Sequence, residues 1–257
     1  MEPVLWHITI SHFNEKVRWA LDFKEISYRT RAPLPGMHMA VALWLTRGRQ
    51  YTFPVIDFGD ERVGGSTAII DALDRRHPAR PLVPDPGGDR DRALALSHWF
   101  DDELGPYVRQ YVFHELLLDP ECFAEVFSQA APGPFRKIGP GGEKALRAIV
   151  GGRYGAISGE GAAEARQRVL AGFDRLESEL DDGDYLVADQ FGVADISAAS
   201  LLYPVVGPPE SFTTFERMPE PVEHFREELS GRRGFKWVEE MFRRHRHPSS
   251  ARQNEEG

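Results

Sequence analysis

The chain has 257 residues, a length that favours two modest domains over one small core. Its 41% hydrophobic and 11% aromatic residues are enough to form a buried core, which excludes a disordered chain. The net charge of −9 and the pI near 5.5 argue against a nucleic-acid partner, which needs a concentrated basic patch. The longest apolar run, Met39–Leu45, is too short to span a membrane.

Cysteine usage and the first residues point to a cellular compartment. A single cysteine, Cys122, can form neither an intrachain disulfide nor a thiolate metal cluster, and this fits a reducing compartment. The first residues include Glu2 and no apolar stretch of signal length. We therefore expect a cytoplasmic protein with no membrane partner and no bound metal.

The first part of the chain alternates strand and helix patterns. Val4–Ile10 alternates as a strand, and Glu15–Phe23 has helical spacing of its apolar residues. The same reasoning predicts the elements that follow: strand Ile26–Ala32, helix Met37–Leu45, strands Thr52–Phe58 and Glu61–Gly65, and a helix from Ser66 to Asp74. The predicted order is βαβαββα.

A proline- and glycine-rich segment separates this region from an all-helical one. The prediction is a domain over residues 1–77, a linker at 78–89, helices over 90–247 and a disordered tail at 248–257. The predicted helices are Arg90–Leu118, Glu143–Val150, Ala162–Leu180, Val193–Val205 and Pro221–Arg244, with loops at Ala131–Gly142 and Gly151–Gly161. The Gly105–Pro106 step is expected to kink or interrupt the first of these helices.

Three residues of the first domain stand at positions where chemistry is possible. Ser11 lies where a strand meets the positive end of a helix, although a plain turn residue explains it as well. Pro54 interrupts a strand, which indicates either a cis Phe53–Pro54 bond or an ordinary edge proline. Ser66 follows Gly64 and Gly65, either as a simple helix cap or beside amides that hold a carboxylate.

Together and in this order, these residues resemble the glutathione transferase superfamily, in its serine-type, theta- or omega-like bacterial form. The resemblance is carried by SHFNEKVRWAL after the first strand, TFPVI with its proline, GGSTAII before the last helix of the domain, and YLVADQFGVADISAASLL at Tyr185–Leu202. In the last motif, Asp195 lies three residues after Gly192 as a structural capping residue, while Gly192 itself has no side chain to cap with. The resemblance implies a thioredoxin-like N-terminal α/β domain and an all-α C-terminal domain.

The same resemblance implies roles for individual residues. Ser11 would be the catalytic residue that hydrogen-bonds the sulfur of a thiol co-substrate and favours its thiolate. Glutathione or another low-molecular-weight thiol would be held by the residues of two motifs: Phe53, Pro54, Gly65, Ser66 and Thr67. Family members commonly have Glu, Asp or Gln where this chain has Gly65. We therefore expect weak glutathione binding or a different thiol.

A second, apolar pocket for an electrophile is expected against the first C-terminal helix. His12 and Phe13 flank Ser11, and Tyr107 and Tyr111 lie four residues apart on one helical face. These four residues are the predicted lining. The acidic run from Asp101 to Glu103 is interpreted as a solvated face.

The function that follows is a transferase-type enzyme, with a detoxification role, that activates a thiol for attack on an apolar electrophile. Two alternatives stay open: a thiol-dependent isomerase or reductive lyase, and a non-catalytic protein that binds a ligand or a partner on the same fold. The resemblance also implies a homodimer with no nucleic-acid partner.

Overall fold

The computed structural model describes residues 2–33, 37–130, 140–181, 183–247 and 251–253. The elements of the first domain appear in the predicted order, with shorter strands. They are β1 (Val4–Trp6), α1 (His12–Phe23), β2 (Tyr28–Arg31), α2 (His38–Thr46), β3 (Val55–Asp57), β4 (Arg62–Gly64) and α3 (Ser66–Arg76).

The strands form one mixed sheet. Strand β1 pairs parallel with β2 (Leu5 opposite Thr30) and antiparallel with β3 (Leu5 opposite Ile56), and β4 continues antiparallel beside β3. Apolar residues of α1 and α3 join Leu5 and Ile56 in the main core. The other face of the sheet carries a smaller cluster in which Leu45 of α2 packs with Phe53 and Val55. Helices on both faces of this small sheet give the expected thioredoxin-like arrangement.

Three residues of the segment predicted to be a disordered tail form a strand instead. Strand β5 (Ala251–Gln253) pairs parallel with β2, so that the sheet order is β4–β3–β1–β2–β5. Without β5, the outer backbone groups of β2 would be an open sheet edge, which accepts a further strand readily. The rest of the predicted tail after residue 247 lies outside the described residues.

The second half is helical, as predicted. Its elements are α4 (Gly88–Trp99), a π-helical turn (Phe100–Leu104), α5 (Gly105–Leu118), α6 (Pro120–Ala130), α7 (Pro140–Tyr154), α8 (Gly159–Leu180), α9 (Val193–Val206), α10 (Glu220–Leu229) and α11 (Arg233–His245). Helix α9 is buried along its whole length and contacts both α1 and α4. None of the described helices is long and apolar enough to cross a membrane.

The packing at the start of α9 explains why residue 192 is glycine. Asp195 accepts hydrogen bonds from the Gly192 amide at 2.8 Å and from the Leu186 amide at 2.9 Å. A Cβ atom on Gly192 would lie 2.9 Å from the Leu82 carbonyl oxygen, which accepts from the Val193 amide at 2.7 Å. Only glycine therefore lets the interdomain segment bond directly to the start of α9.

Several segments of the helical half differ from the prediction. The expected helix Pro221–Arg244 is divided into α10 and α11, α6 lies where no helix was predicted, and residues 140–142 of a predicted loop belong to α7. The expected helix Arg90–Leu118 is divided by the π-helical turn before Gly105, so the predicted interruption occurs over the five residues before the Gly–Pro step. The predicted loop Gly151–Gly161 is partly wrong, because α7 continues through Gly151 to Tyr154. Glycine at position 151 leaves room for the side chain of Ile157, from which a Cβ atom would lie 2.8 Å away. Residues 131–139 of the other predicted loop lie outside the described residues.

Candidate active site

A cavity of about 630 Å³ lies between the two halves of the chain. One wall, which we call the sheet wall, comprises Ser11, Phe53, Pro54, Ser66 and Thr67 and their neighbours. The opposite wall, which we call the helical wall, comes from α4–α7 and α9 and includes Arg109, Val112, Phe113, Leu116, Phe127, Arg153 and Tyr154. The volume lies within the usual range of small-molecule sites.

Ser11 begins helix α1 but does not use its side chain to cap it. Its backbone is extended (φ −83°, ψ 126°), and its carbonyl oxygen accepts from the amides of Asn14 at 3.0 Å and Glu15 at 2.9 Å. The hydroxyl makes no capping hydrogen bond, and the residue lines the cavity. The plain turn interpretation therefore leaves the Ser11 hydroxyl without a structural task.

The loop before Ser11 is held by side chains from α1, from α9 and from the segment after α9. Tyr203 of α9 donates from its hydroxyl to the Ile10 carbonyl at 2.8 Å. Arg18 and Thr213 both donate to the Thr9 carbonyl, each at 3.1 Å. These hydrogen bonds hold the main chain that leads to Ser11 in place before any ligand binds.

A buried ionic network lies beneath this loop. Glu15 accepts from Arg246 at 2.7 Å and from Arg18 at 2.9 Å, and Arg246 also donates to Asp22 at 2.6 Å. Burial alone would raise the pKa of Glu15, but Arg246 and Arg18 lower it to about 2. Burial, followed by Arg18, lowers the pKa of His7 to about 3, so its neutral ring can accept from Arg18 at 2.8 Å.

The Phe53–Pro54 peptide bond is cis, which decides between the two interpretations of this proline that the sequence left open. Phe53 precedes β3, so its main chain takes no part in the β1–β3 ladder. The Pro54 carbonyl accepts from the Gly65 amide at 3.0 Å and so joins this segment to the start of α3. Phe53, Pro54 and Gly65 thus lie together on the sheet wall, at the place that the family resemblance implied for a thiol.

The prediction that Ser66 caps α3 is wrong by one residue. Gly65 is the N-cap, with φ +92°, and Ser66 is the first helical residue. The first helical hydrogen bond runs from the Ile69 amide to the Gly65 carbonyl at 3.0 Å, so the amides of Ser66 and Thr67 precede it. Ser66 and Thr67 line the cavity at this positive helix end, an arrangement that favours a carboxylate.

Lys16 and Asp101 connect the two walls, which sequence reasoning missed. Lys16 is fully buried and donates to both carboxylate oxygens of Asp101, at 2.8 and 2.7 Å, and to Ser97 at 3.2 Å. The Thr67 hydroxyl also donates to Asp101, at 2.6 Å. The interpretation of the acidic run as a solvated face is therefore wrong for Asp101.

Of the predicted electrophile-pocket residues, His12 and Phe13 line the cavity. Their rings lie 4.7 Å apart, and Phe13 fits only because residue 105 is glycine, whose Cβ atom would lie 2.7 Å from its ring. Burial, followed by Arg109, lowers the pKa of His12 to about 3. Its Nε2 atom is buried without a hydrogen-bond partner among the described residues.

Tyr107 and Tyr111 do not line the cavity, so this part of the predicted pocket is wrong. The Tyr111 hydroxyl donates to the Pro221 carbonyl at 3.1 Å, and its ring packs edge-on against Phe225. Tyr107 packs under the guanidinium of Arg168 instead. The cavity face of α5 carries the helical series Arg109, Val112, Phe113, Leu116, and both tyrosines lie off that series.

Family comparisons agree with this two-part architecture. Residues 5–81 match the family described as "Glutathione S-transferase, N-terminal domain", and residues 159–230 match "Glutathione S-transferase, C-terminal domain". The chain belongs to the glutathione transferase superfamily. No match was found among proteins with curated functions.

Solved structures with the same fold have low sequence identity to this glutathione transferase homologue. The glutathione S-transferase CsGST63524 of Ceriporiopsis subvermispora, in complex with glutathione, is 19% identical with a TM-score of 0.64 over 96% of this chain and 99% of that one. A possible glutathione S-transferase from Rhodopseudomonas palustris is 15% identical, with a TM-score of 0.60 over 97% and 98%. The beta-etherase LigF from Sphingobium sp. strain SYK-6 is 18% identical, with a TM-score of 0.58 over 93% and 99%. At these identities the likeness establishes the fold.

Proposed function

We propose that the protein is a glutathione transferase-type enzyme in which Ser11 activates glutathione, or an analogous thiol, for attack on an electrophile bound at the helical wall. The observation that carries the proposal is Ser11, which lines the cavity, makes no side-chain capping bond and follows a loop held by side chains from α1, from α9 and from the segment after α9. The structural neighbour crystallised with glutathione supports the choice of thiol.

In this mechanism the sheet wall binds the thiol along its length. The main chain of Phe53 would pair with the cysteinyl part, and the amides of Ser66 and Thr67 would hold the γ-glutamyl carboxylate at the start of α3. The Ser11 hydroxyl would donate to the sulfur, near the positive end of α1. Because both interactions favour the charged form, the pKa of the bound thiol falls.

The thiolate then attacks the electrophile. Its sulfur forms a new bond to carbon while the leaving group departs with its electron pair, and the thiol proton has already passed to solvent. The protein contributes the stabilised thiolate and the alignment of the two substrates. Serine cannot form the mixed disulfide that a cysteine would form, which argues against thiol–disulfide exchange at Ser11.

The decisive experiment compares wild type with Ser11→Ala, using glutathione and a reactive aryl halide. Losing one hydrogen-bond donor to a developing charge is expected to lower kcat about tenfold to a thousandfold. The rate should also rise only at more alkaline pH, because the bound thiol then keeps a higher pKa. Ser178→Ala, at an exposed serine of α8, is the matched control and should change neither quantity.

The outcomes separate this proposal from the alternatives. An unchanged rate and pH profile in Ser11→Ala would remove Ser11 from the mechanism. A wild-type protein that binds glutathione without turnover would be a binding protein on this fold. Glutathione-dependent cleavage that oxidises glutathione to its disulfide, instead of forming a stable thioether, would identify a reductive lyase.

We also propose a homodimer with two-fold symmetry, as the family resemblance implies. Light scattering at micromolar concentration should give about twice the chain mass of 29.0 kDa. A mass equal to that of one chain would contradict it.

A further inference from the structure

The helical wall contains a pair of arginines that no part of the proposed thiol site uses. Arg109 of α5 and Arg153 of α7 both line the cavity. Their guanidinium carbons lie 4.5 Å and 5.4 Å from the centre of the Tyr154 ring. Two like charges gathered at one ring repel each other, so this arrangement has a cost in the empty protein.

Neither arginine is neutralised by the protein itself. Within the described part of the chain, neither forms an ion pair with a carboxylate, and the Nε atom of Arg109 is buried without a hydrogen-bond partner. Asp101, which also reaches the cavity, is already bonded to Lys16 and Thr67. A partly buried guanidinium without a partner carries a desolvation cost that a bound anion would remove.

The surroundings of Arg109 indicate the rest of the ligand. The centre of the Phe13 ring lies 5.9 Å from the guanidinium carbon of Arg109. Val112, Phe113 and Leu116 continue the cavity face of α5. His12, beside Phe13, has a pKa lowered to about 3 and is neutral at physiological pH, so it does not repel Arg109. A flat apolar body would fit among these side chains, with its charge directed at Arg109.

We propose that the second substrate is an anionic aromatic electrophile, whose carboxylate or equivalent acid group is bound by Arg109 with support from Arg153. The proposal rests on the proposed function for its reaction, but the anion site itself requires only binding. It replaces the purely apolar electrophile expected from the sequence with an apolar ring that carries a negative group. Arg109 is thereby a specificity-determining residue on the helical wall.

A matched pair of electrophiles tests the charge directly. A para-chloro-dinitrobenzoate and its methyl ester share the ring and the leaving group, and differ in the negative charge. In both, the glutathione sulfur bonds to the ring carbon and chloride leaves with the bonding electrons. Each enzymatic rate is divided by the uncatalysed rate with glutathione, which removes the difference in ring reactivity.

Arg109→Met retains an unbranched side chain in place of the aliphatic part of arginine and removes the charge. The KM for the benzoate should rise about ten- to a hundredfold, the range for one charge-assisted hydrogen bond. The KM values for the ester and for glutathione should change less than about twofold. Arg109→Lys should recover part of the loss, because it restores the charge without the planar fork. Arg168→Met, which removes an exposed arginine packed on Tyr107 outside the cavity, should leave all three values unchanged.

Two kinetic results would overturn the proposal. Equal changes for benzoate and ester would mean that Arg109 shapes the cavity without recognising charge. A rise in the KM for glutathione alone would mean that Arg109 anchors the thiol peptide. Melting temperatures of the variants show whether a loss reflects unfolding; if Arg109→Met is unfolded, Arg109→Lys and Arg153→Met carry the comparison.

A binding experiment separates the failure of this proposal from the failure of the proposed function. Calorimetry with the chlorine-free dinitrobenzoate and its ester needs no turnover. Tighter binding of the acid by wild type, lost in Arg109→Met, supports the anion site even if neither chloro compound reacts. Equal binding of acid and ester by wild type overturns it, whatever the catalytic result.

Discussion

The sheet wall and the helical wall of the cavity satisfy their polar groups in opposite ways. Beneath the sheet wall, Glu15 and Arg246 are paired within a closed network that holds the loop before Ser11. On the helical wall, Arg109 and Arg153 have aromatic neighbours and no carboxylate partner within the described residues. The first arrangement fixes a reacting group in advance, while the second leaves charge for a ligand to neutralise.

Acid should weaken both walls, and we expect this to be the largest effect. His7 and His12 have pKa values near 3 in the folded protein, against about 6.5 in an unfolded chain. Unfolding therefore takes up protons between these values, and stability falls as the pH drops from about 6.5 towards 3. Glu15, with its pKa lowered to about 2, adds a further loss at the acid end, below about 4.5.

Denaturant unfolding measured from pH 7 to pH 4 checks this prediction. His12→Gln, which does not titrate in this range, should have a smaller loss of unfolding free energy on acidification than wild type. His224→Gln, at an exposed histidine of α10, is the control and should follow wild type. Identical pH slopes for His12→Gln and wild type would show that His12 is not held neutral by its surroundings.

Breaking the network under the sheet wall should cost the most among single substitutions at constant pH. Glu15→Gln leaves Arg18 and Arg246 without their shared carboxylate in a buried setting. We expect a loss of about 3–5 kcal/mol in the free energy of unfolding at neutral pH. Glu240→Gln, in an exposed cluster with Arg243 and Arg244, should have no measurable effect. If the free energy of unfolding fell equally little in Glu15→Gln and Glu240→Gln, the network under the sheet wall would not hold the fold as we infer.

The same contrast explains what the sequence could predict. The order of strands and helices in the first domain follows from local patterns, because each element carries its own backbone signal. The strand pattern left the Phe53–Pro54 bond open between cis and trans, and only the family resemblance implied that Ser11, Phe53 and Ser66 lie at one site. The error at Ser66 is one residue, within the usual uncertainty of helix ends.

The helical wall depends on the phase of α5 and on partners far apart in the chain. The π-helical turn at Phe100–Leu104 precedes α5, and the cavity face then runs through Arg109 instead of Tyr107 and Tyr111. Lys16 and Asp101 are 85 positions apart, so no spacing rule connects them. Arg153 lies in the predicted loop Gly151–Gly161, but α7 continues through its paired glycines to Tyr154, although glycine weakens a helix interior.

A substitution on the sheet wall tests why glutathione binding was expected to be weak. Gly65→Glu would add the carboxylate that could accept from the γ-glutamyl ammonium, and the affinity for glutathione should rise about tenfold to a hundredfold. Space is available, because a Cβ atom at this position has its nearest neighbour, the Gln50 amide nitrogen, at 3.7 Å. The backbone φ of +92° strains any side chain there, and the free energy of unfolding should fall by about 1–3 kcal/mol.

Gly65→Ala is the matched control for this experiment. It carries the same backbone strain without a carboxylate, so it should lose stability and leave the affinity for glutathione unchanged. The strain is present with and without ligand, which is why it affects unfolding and not binding. Calorimetric titration with glutathione distinguishes the two variants. Equal affinities in Gly65→Glu and Gly65→Ala would contradict the assigned position of the γ-glutamyl group.

We expect the smallest effect from a substitution of Asp102. It tests whether a carboxylate of the helical half replaces the one that Gly65 lacks. Its neighbour Asp101 accepts from the Thr67 hydroxyl at 2.6 Å, which brings this acidic turn to the start of α3. Asp102 is exposed, lines the cavity and forms no ion pair with the described residues, so it is free to attract the γ-glutamyl ammonium.

An exposed ion pair contributes at most about 1 kcal/mol to binding, and Asp102→Asn should raise the KM for glutathione about fivefold. The effect should shrink as salt is added, because exposed charges are screened. Glu103→Gln, one residue further and outside the cavity lining, should change neither the KM nor its salt dependence. A fivefold rise that does not depend on salt would point to altered packing of the π-helical turn instead of a lost charge.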